Sequence, residues 1–185
     1  VRPSNRMRIL DAAVAVVEEQ GVAAVTFDAV AAAAGLTRGG VTYHFPSREG
    51  LVTALHEHVA QQWERELEAA CGSTAARATP TQRLLAYVAV NRRAASRAEL
   101  QLALESGATP DLAAIWHGVT GRWLPGPDDD VPDSHRLAVI AADGLWVHEA
   151  LSGIALPPER RAELADRIVA LVTDAPATRA PATDA

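Results

Sequence analysis

The sequence predicts an all-α protein, with an N-terminal three-helix unit containing a helix-turn-helix and a larger C-terminal helical body. Three observations carry that expectation. Apolar residues recur at three-and-four spacing along most of the chain, no alternating strand pattern interrupts them, and Gly or Pro stands where most periodic runs stop.

Ser4 or Asn5 is placed to cap a first helix whose apolar residues Ile9, Leu10, Ala13, Val14, Val16 and Val17 share one face, and Gly21 ends it. Thr26 is the next N-cap. It opens a segment from Phe27 to Ala34 with Asp28 in the first turn, where negative charge suits the helix dipole, and Gly35 closes it. Only Leu36 and Thr37 separate Gly35 from a third segment, Arg38 to His44 or Phe45, which Pro46-Ser47 breaks. Ser47 caps a longer fourth helix through Leu51, Leu55, Val59, Trp63 and Leu67, ended by Cys71-Gly72.

Gly72 to Pro80 reads as a surface loop, followed by helical patterns over Thr81 to Ala95 and Glu99 to Glu105. Thr109-Pro110-Asp111 starts another helix through Leu112, Ile115, Trp116, Val119 and Trp123, and Leu124-Pro125-Gly126-Pro127 halts it. The acidic triplet Asp128 to Asp130 is expected in a solvated loop. Pro132-Asp133-Ser134 begins the most apolar long segment, Leu137 to Leu151, which must be covered on several sides. A last helix runs from Pro157-Pro158 to Val172. The expected organisation is therefore a helix-turn-helix unit over 1–50, a helical body over 51–173 and a disordered Pro/Ala/Thr tail over 174–185.

Charge argues against a protein that coats nucleic acid indiscriminately. The net charge of the 185 residues is −6, and all seventeen basic residues are arginine. In the first 58 residues five arginines (2, 6, 8, 38, 48) face six acids (11, 18, 19, 28, 49, 57), so any duplex binding rests on placement. Arg2, Arg6, Arg38 and Arg48 fall at an arm or at helix starts. No uncharged apolar run spans a bilayer and no export signal opens the chain, so a cytoplasmic protein without membrane contact is expected. Cys71 is alone, which excludes an intrachain disulfide and favours a buried structural thiol. His56 and His58, two apart on a helix, cannot pair as metal ligands and are expected at the surface; no metal and no cofactor are expected. None of the hydrolase, phosphate-loop or zinc-protease motifs occurs, so an enzyme is not expected.

Residues 26–51, TFDAVAAAAGLTRGGVTYHFPSREGL, hold the most specific signal. Seven residues from Arg38 to His44 make a rod about 10 Å long, which suits a major groove about 12 Å wide. Val30, Leu36, Val41 and Phe45 can pack inward, which leaves Thr37, Arg38, Thr42, Tyr43 and His44 outward. Gly39 and Gly40 cost about 1 kcal/mol each in a helix, a cost that close approach to another surface explains. Thr26 and Ser47 stand at helix N-termini able to hold phosphate, and Arg48 adds charge there. Arg38 suits a base edge or a phosphate equally; Tyr43 and His44 suit the backbone.

Ile9-Leu10-Asp11-Ala12-Ala13, Gly21-Val22, Thr26, Val30-Ala31, Ala34-Gly35-Leu36-Thr37 and Tyr43 through Leu51 resemble, in order and spacing, the DNA-binding domain of the tetracycline-repressor (TetR) family. The likeness covers about the first 55 residues. It departs at Thr42, where the family usually has tyrosine, and Arg48 replaces the commoner lysine. It implies a dimer whose last two helices form a four-helix bundle with the partner, a ligand cavity in each body, and repression of a palindromic double-stranded DNA operator relieved by a small-molecule effector.

The apolar faces of the last two long helices agree with a subunit seam, through Leu137, Ile140, Leu145, Trp146, Leu164, Ile168 and Leu171. Trp63, Tyr87, Asn91, Trp116, Trp123, Trp146 and His148 are the candidates for lining an aromatic-rich ligand site, and the same residues would serve equally as core. The rival reading is a ligand- or protein-binding module of the same fold that does not bind DNA.

Overall fold

The computed structural model describes residues 4–174. Among these, nine α-helices and one 3-10 turn account for the regular structure: α1 (Asn5–Gln20), the turn Val22–Ala24, α2 (Phe27–Ala34), α3 (Arg38–His44), α4 (Arg48–Cys71), α5 (Pro80–Val90), α6 (Arg97–Ala108), α7 (Pro110–Trp123), α8 (Asp133–Ser152) and α9 (Pro158–Thr173). The all-α expectation holds. Arg2 and nearly all of the expected disordered tail lie outside the described residues.

The helix boundaries follow from capping chemistry. Ser4, Thr26 and Thr37 each accept a backbone N–H three residues on, from Met7, Ala29 and Gly40. Thr79 with Gln82, and Ser96 with Glu99, close reciprocal capping boxes at the starts of α5 and α6. Gly35 stops α2 in the left-handed region at φ 62°, which costs a residue without Cβ little.

Two compact units divide the described chain: residues 4–64 with 96–119, and residues 65–95 with 120–174. In the first, Ile9, Leu10, Ala13 and Val17 of α1 pack with Val30 and Ala34 of α2, Val41 of α3 and Leu51 and Leu55 of α4. Ala98 and Leu102 of α6 and Leu112 of α7 belong to that same core. Polar contacts fasten α6 to the end of α1. The Glu18 carboxylate accepts the N–H groups of Ala98 at 2.7 Å and Arg97 at 3.3 Å, Arg97 Nη1 donates to the Glu19 carbonyl at 3.0 Å, and Gln101 Oε1 accepts the Val22 N–H at 2.9 Å. A side-chain carboxylate thus satisfies the open N–H groups at a helix start from 79 and 80 residues away in sequence.

In the second unit α5, α8 and α9 pack on one another, with Leu84, Val88, Ala138, Ala142, Leu145, Ala165, Ile168 and Val172 buried. Arg161 of α9 ties the unit together: it donates to the Leu145 carbonyl at 3.0 Å and to the Glu149 carboxylate at 2.5 Å. Helix α5 stops at Val90, earlier than the expected Ala95, because residues after Asn91 turn away and Ala95 N–H donates to the Trp146 carbonyl at 2.8 Å.

His56 and His58 overturn the expectation of surface histidines. Both are buried. The Trp116 indole N–H donates to His56 Nδ1 at 3.0 Å and the His56 Nε2 edge faces Glu105 at 3.1 Å, while His58 Nε2 meets Asp11 at 2.9 Å. Trp116 can only donate, so the ring proton of His56 sits on Nε2, aimed at the carboxylate. Cys71 is half-buried rather than fully enclosed.

Candidate functional site

Helix α3 is held by one apolar strip and presents everything else outward. Val41 is fully buried and Phe45 nearly so, which anchors the helix against α1 and α2. Thr37, Arg38, Gly39 and Tyr43 are exposed, Tyr43 to 84%, and Gly40, Thr42 and His44 are half-buried. Thr42 Oγ1 donates to the Gly39 carbonyl, and Tyr43 and His44 meet edge to face at 5.2 Å.

Neither Gly39 nor Gly40 has a positive φ. A Cβ built on Gly39 would approach only Thr37 Oγ1, at 3.9 Å, and one on Gly40 would meet Thr37 Oγ1 at 3.4 Å and Leu36 Cβ at 3.9 Å. Packing inside the unit therefore does not demand the pair. Their cost of about 1 kcal/mol each in helix propensity is left to be explained by something outside the unit.

The two arginines of the predicted surface have different surroundings. Arg48 is partly spent on the fold: its Nε donates to the Val25 carbonyl at 2.9 Å and an Nη2 to the Val22 carbonyl at 3.4 Å, which satisfies the chain entering α2. Arg38, with 63% of its side chain exposed, donates to the Asp28 carboxylate at 2.7 Å and lies 5.9 Å from the Phe27 ring centre. Arg6 covers the Phe45 ring at 5.2 Å, beside the end of α3. Of the acids that offset the charge count, Asp11 and Glu18 are engaged with α4 and α6, whereas Asp28 stands beside Arg38.

The candidate ligand residues divide between the two units. Trp63 and Trp116 lie together in the first, ring centres 6.4 Å apart, with the His56 ring 6.3 Å from that of Trp116 and edge-on to it. In the second unit Tyr87 and Asn91 of α5 are buried, and the Tyr87 hydroxyl donates to the Asp143 carboxylate on α8. Trp123 is fully buried, and its indole N–H meets no acceptor among the described residues. Trp146 is half-buried. His148 instead lines an open apolar groove on α8 and α9 with Gly144, Leu145, Leu164, Ile168 and Leu171.

Burial, then the neighbouring Asp143 charge, pushes the Tyr87 hydroxyl well above its ordinary range, so it stays a donor. Asp143 is exposed as a whole residue, and partial desolvation of its carboxylate where it meets Tyr87 raises its pKa against the lowering effect of the hydrogen bond. A carboxyl with a raised folded pKa contributes stability below its ordinary value of 3.8 and loses it as pH rises through the folded value. Asp143→Asn should therefore raise the melting temperature at pH 7, with the gain shrinking as pH falls through the folded value and gone below pH 3.8 in thermal melts across pH. A constant difference at every pH would show that ionisation of Asp143 does not enter.

Along α8 the exposed apolar residues Leu137, Ile140 and Leu151 recur at three- and eleven-residue steps, which places them on one side of the helix. Gly144 and His148 fall on that side too. Trp146, nine residues from Leu137, points about half a turn away by the same geometry.

A short helix whose polar side stands out from a three-helix head, reached from α2 by the three-residue turn Gly35-Leu36-Thr37, defines a helix-turn-helix DNA-binding regulator. The family described as "Bacterial regulatory proteins, tetR family" matches residues 9–55, and "Tetracyclin repressor-like, C-terminal domain" matches residues 81–173. The chain belongs to the TetR family of transcriptional regulators. The HTH-type transcriptional regulator BetI of Paraburkholderia xenovorans is 30% identical over 169 residues, covering 83% of this chain and 85% of that protein. Among solved structures, multidrug binding protein EbrR complexed with ethidium is 26% identical with a TM-score of 0.57, covering 91% of this chain and 99% of that one. A transcriptional regulator from Saccharomonospora viridis in complex with choline has the same fold, with a TM-score of 0.67 at 20% identity over 88% of this chain and 94% of that one.

Asp28, His56 and Glu18 are the residues that sequence reasoning passed over. Only Asp28 carried a local signal, its place in the first turn of α2, and that signal pointed to the helix dipole rather than to Arg38.

Proposed function

We propose that this protein is a homodimeric repressor that holds a palindromic operator with two copies of α3 and lets go when a small molecule binds the C-terminal region. The observation that carries the reading is the glycine pair at 39 and 40, which no packing inside the unit requires and which lets the α3 backbone approach a duplex. Arg38 reads a base edge from the first position of α3. Thr26, Thr37, Thr42, Tyr43 and His44 contact the sugar-phosphate backbone with Arg48 and fix the register. Two such readers, about 34 Å apart, would sit in successive major grooves.

The exposed apolar face of α8 and the groove it shares with α9 support pairing with a second copy of the chain, the arrangement that presents two readers symmetrically. For the effector, the indole donor of Trp123, buried in the second unit and unpaired among the described residues, and the ethidium complex of EbrR favour a planar aromatic small molecule. Its binding would shift α4, which carries residues of both units, and draw the readers out of register.

A gel-shift titration against the promoter region beside the protein's own gene tests the reading. The wild type is expected to bind with a strong salt dependence, and Arg38→Ala to weaken binding about tenfold while circular dichroism and dimerisation stay unchanged. An absence of any shift at low salt would favour a module of this fold that does not bind DNA. Unchanged affinity of Arg38→Ala would remove that residue from the reading surface.

A further inference from the structure

We infer that Asp28 is a specificity-determining positioning residue: it holds the Arg38 guanidinium edge-on to a guanine and trades total DNA affinity for sequence discrimination. This rests on the reading of α3 as the DNA-contacting helix. The two residues are ten apart in sequence, on the first turns of α2 and α3, and their side chains meet at 2.7 Å. Phe27, the neighbour of Asp28, lies under the same guanidinium at 5.9 Å. Two adjacent residues of α2 therefore fix one arginine of α3 before any DNA arrives.

Stability does not account for the pair. Both side chains are open to solvent, Arg38 at 63% and Asp28 at 69%, and an exposed ion pair of this kind adds about 0 to 1 kcal/mol. Affinity does not account for it either. A carboxylate on the face that meets phosphate repels the duplex, and residues 1–58 carry five arginines against six acids, so the head has no cationic surplus to spare. The effect on Arg38 itself remains. With one Nη1 hydrogen committed to Asp28, the planar fork keeps a set of parallel N–H donors in a defined orientation, which matches the O6 and N7 acceptors of guanine. Swinging away to a phosphate would require breaking the ion pair, so Asp28 also disfavours the contact that carries no sequence information.

The charge sign gives the inference a signature that a merely structural residue lacks. Removing Asp28 should weaken discrimination while leaving binding to unrelated DNA unchanged or tighter. The test starts with selection of the preferred operator from random DNA by the intact wild-type chain, repeated with Arg38→Ala to find the base pair whose preference Arg38 sets. Affinities of wild type, Asp28→Asn, Asp28→Ala and Asp28→Glu are then measured on the operator, on the operator altered at that pair, and on unrelated DNA. For Asn and Ala the operator-to-altered ratio is expected to fall about fivefold, with Glu restoring part of it and melting temperatures falling by no more than about 4 °C, the loss of one first-turn charge on α2. An unchanged ratio overturns the inference. So does a parallel change on all three DNAs, which marks a general charge or folding effect. Selection that enriches no sequence with the wild type removes the DNA reading and this inference with it, whereas a clear operator read indifferently to Asp28 removes the inference alone.

Discussion

Ile140→Asp should convert the protein to monomers and cost at least about a hundredfold in operator affinity. Ile140 is 66% exposed in the single subunit, with Leu137 and Leu151 on the same side of α8, so a charge there leaves the subunit's own core untouched. In a seam between two copies the same carboxylate is desolvated twice, once on each side of the two-fold axis, and the groove residues offer it only His148 and Arg167 as basic partners among six apolar side chains and a glycine. Loss of the pair makes the two half-sites independent, and linking two such sites ordinarily gains about 10² to 10⁴ over one. Light scattering after gel filtration and a gel shift on whole and half operators would measure both effects. A variant that stays dimeric would place the seam elsewhere.

His56→Leu should lower stability by about 2 to 3 kcal/mol, or about 5 to 10 °C in melting temperature for a chain of this size. The side chain is fully enclosed, and the imidazole receives the Trp116 N–H while presenting its own N–H to Glu105. Leucine matches the volume well enough that the loss comes from the bridge rather than from a cavity. The bridge joins α4 to α6 and α7, so its removal should also speed amide exchange in those three helices. A melting temperature within 2 °C of wild type would mean that hydration of Glu105 compensates the loss.

The helices of the head were readable because their ends are chemical. Thr26, Gly35, Thr37 and Pro46-Ser47 punctuate the chain with caps and breaks whose effect is local, and α2, α3 and the turn between them fall where those residues put them. The end of α5 was not readable, since Asn91 is no stronger a stop signal than its neighbours and a carbonyl of α8, 51 residues beyond Ala95, holds the turn that follows. The histidines of α4 failed for a related reason. Leu51, Leu55 and Val59 mark one buried stripe, but α4 is covered on both flanks, and the carboxylates that make burial of His56 and His58 tolerable come from 49 and 47 residues away. Outward placement of Arg38 followed from the pattern around Val41 and Phe45, whereas its restraint by Asp28 depends on the crossing of α2 and α3, which periodicity does not encode.

The carboxylate of Glu18 on the first turn of α6 has a practical corollary for building hybrids of this regulator. Cutting the gene at residue 50, where the reading motif ends, would strand α6 and α7 on the wrong side of the splice and sever the Glu18–Ala98, Val22–Gln101 and Asp11–His58 contacts together. A transplantable cassette needs 96–119 from the same parent as 4–64. Grafts that respect this should inherit the donor's operator choice, and grafts that ignore it should misfold before they can be assayed.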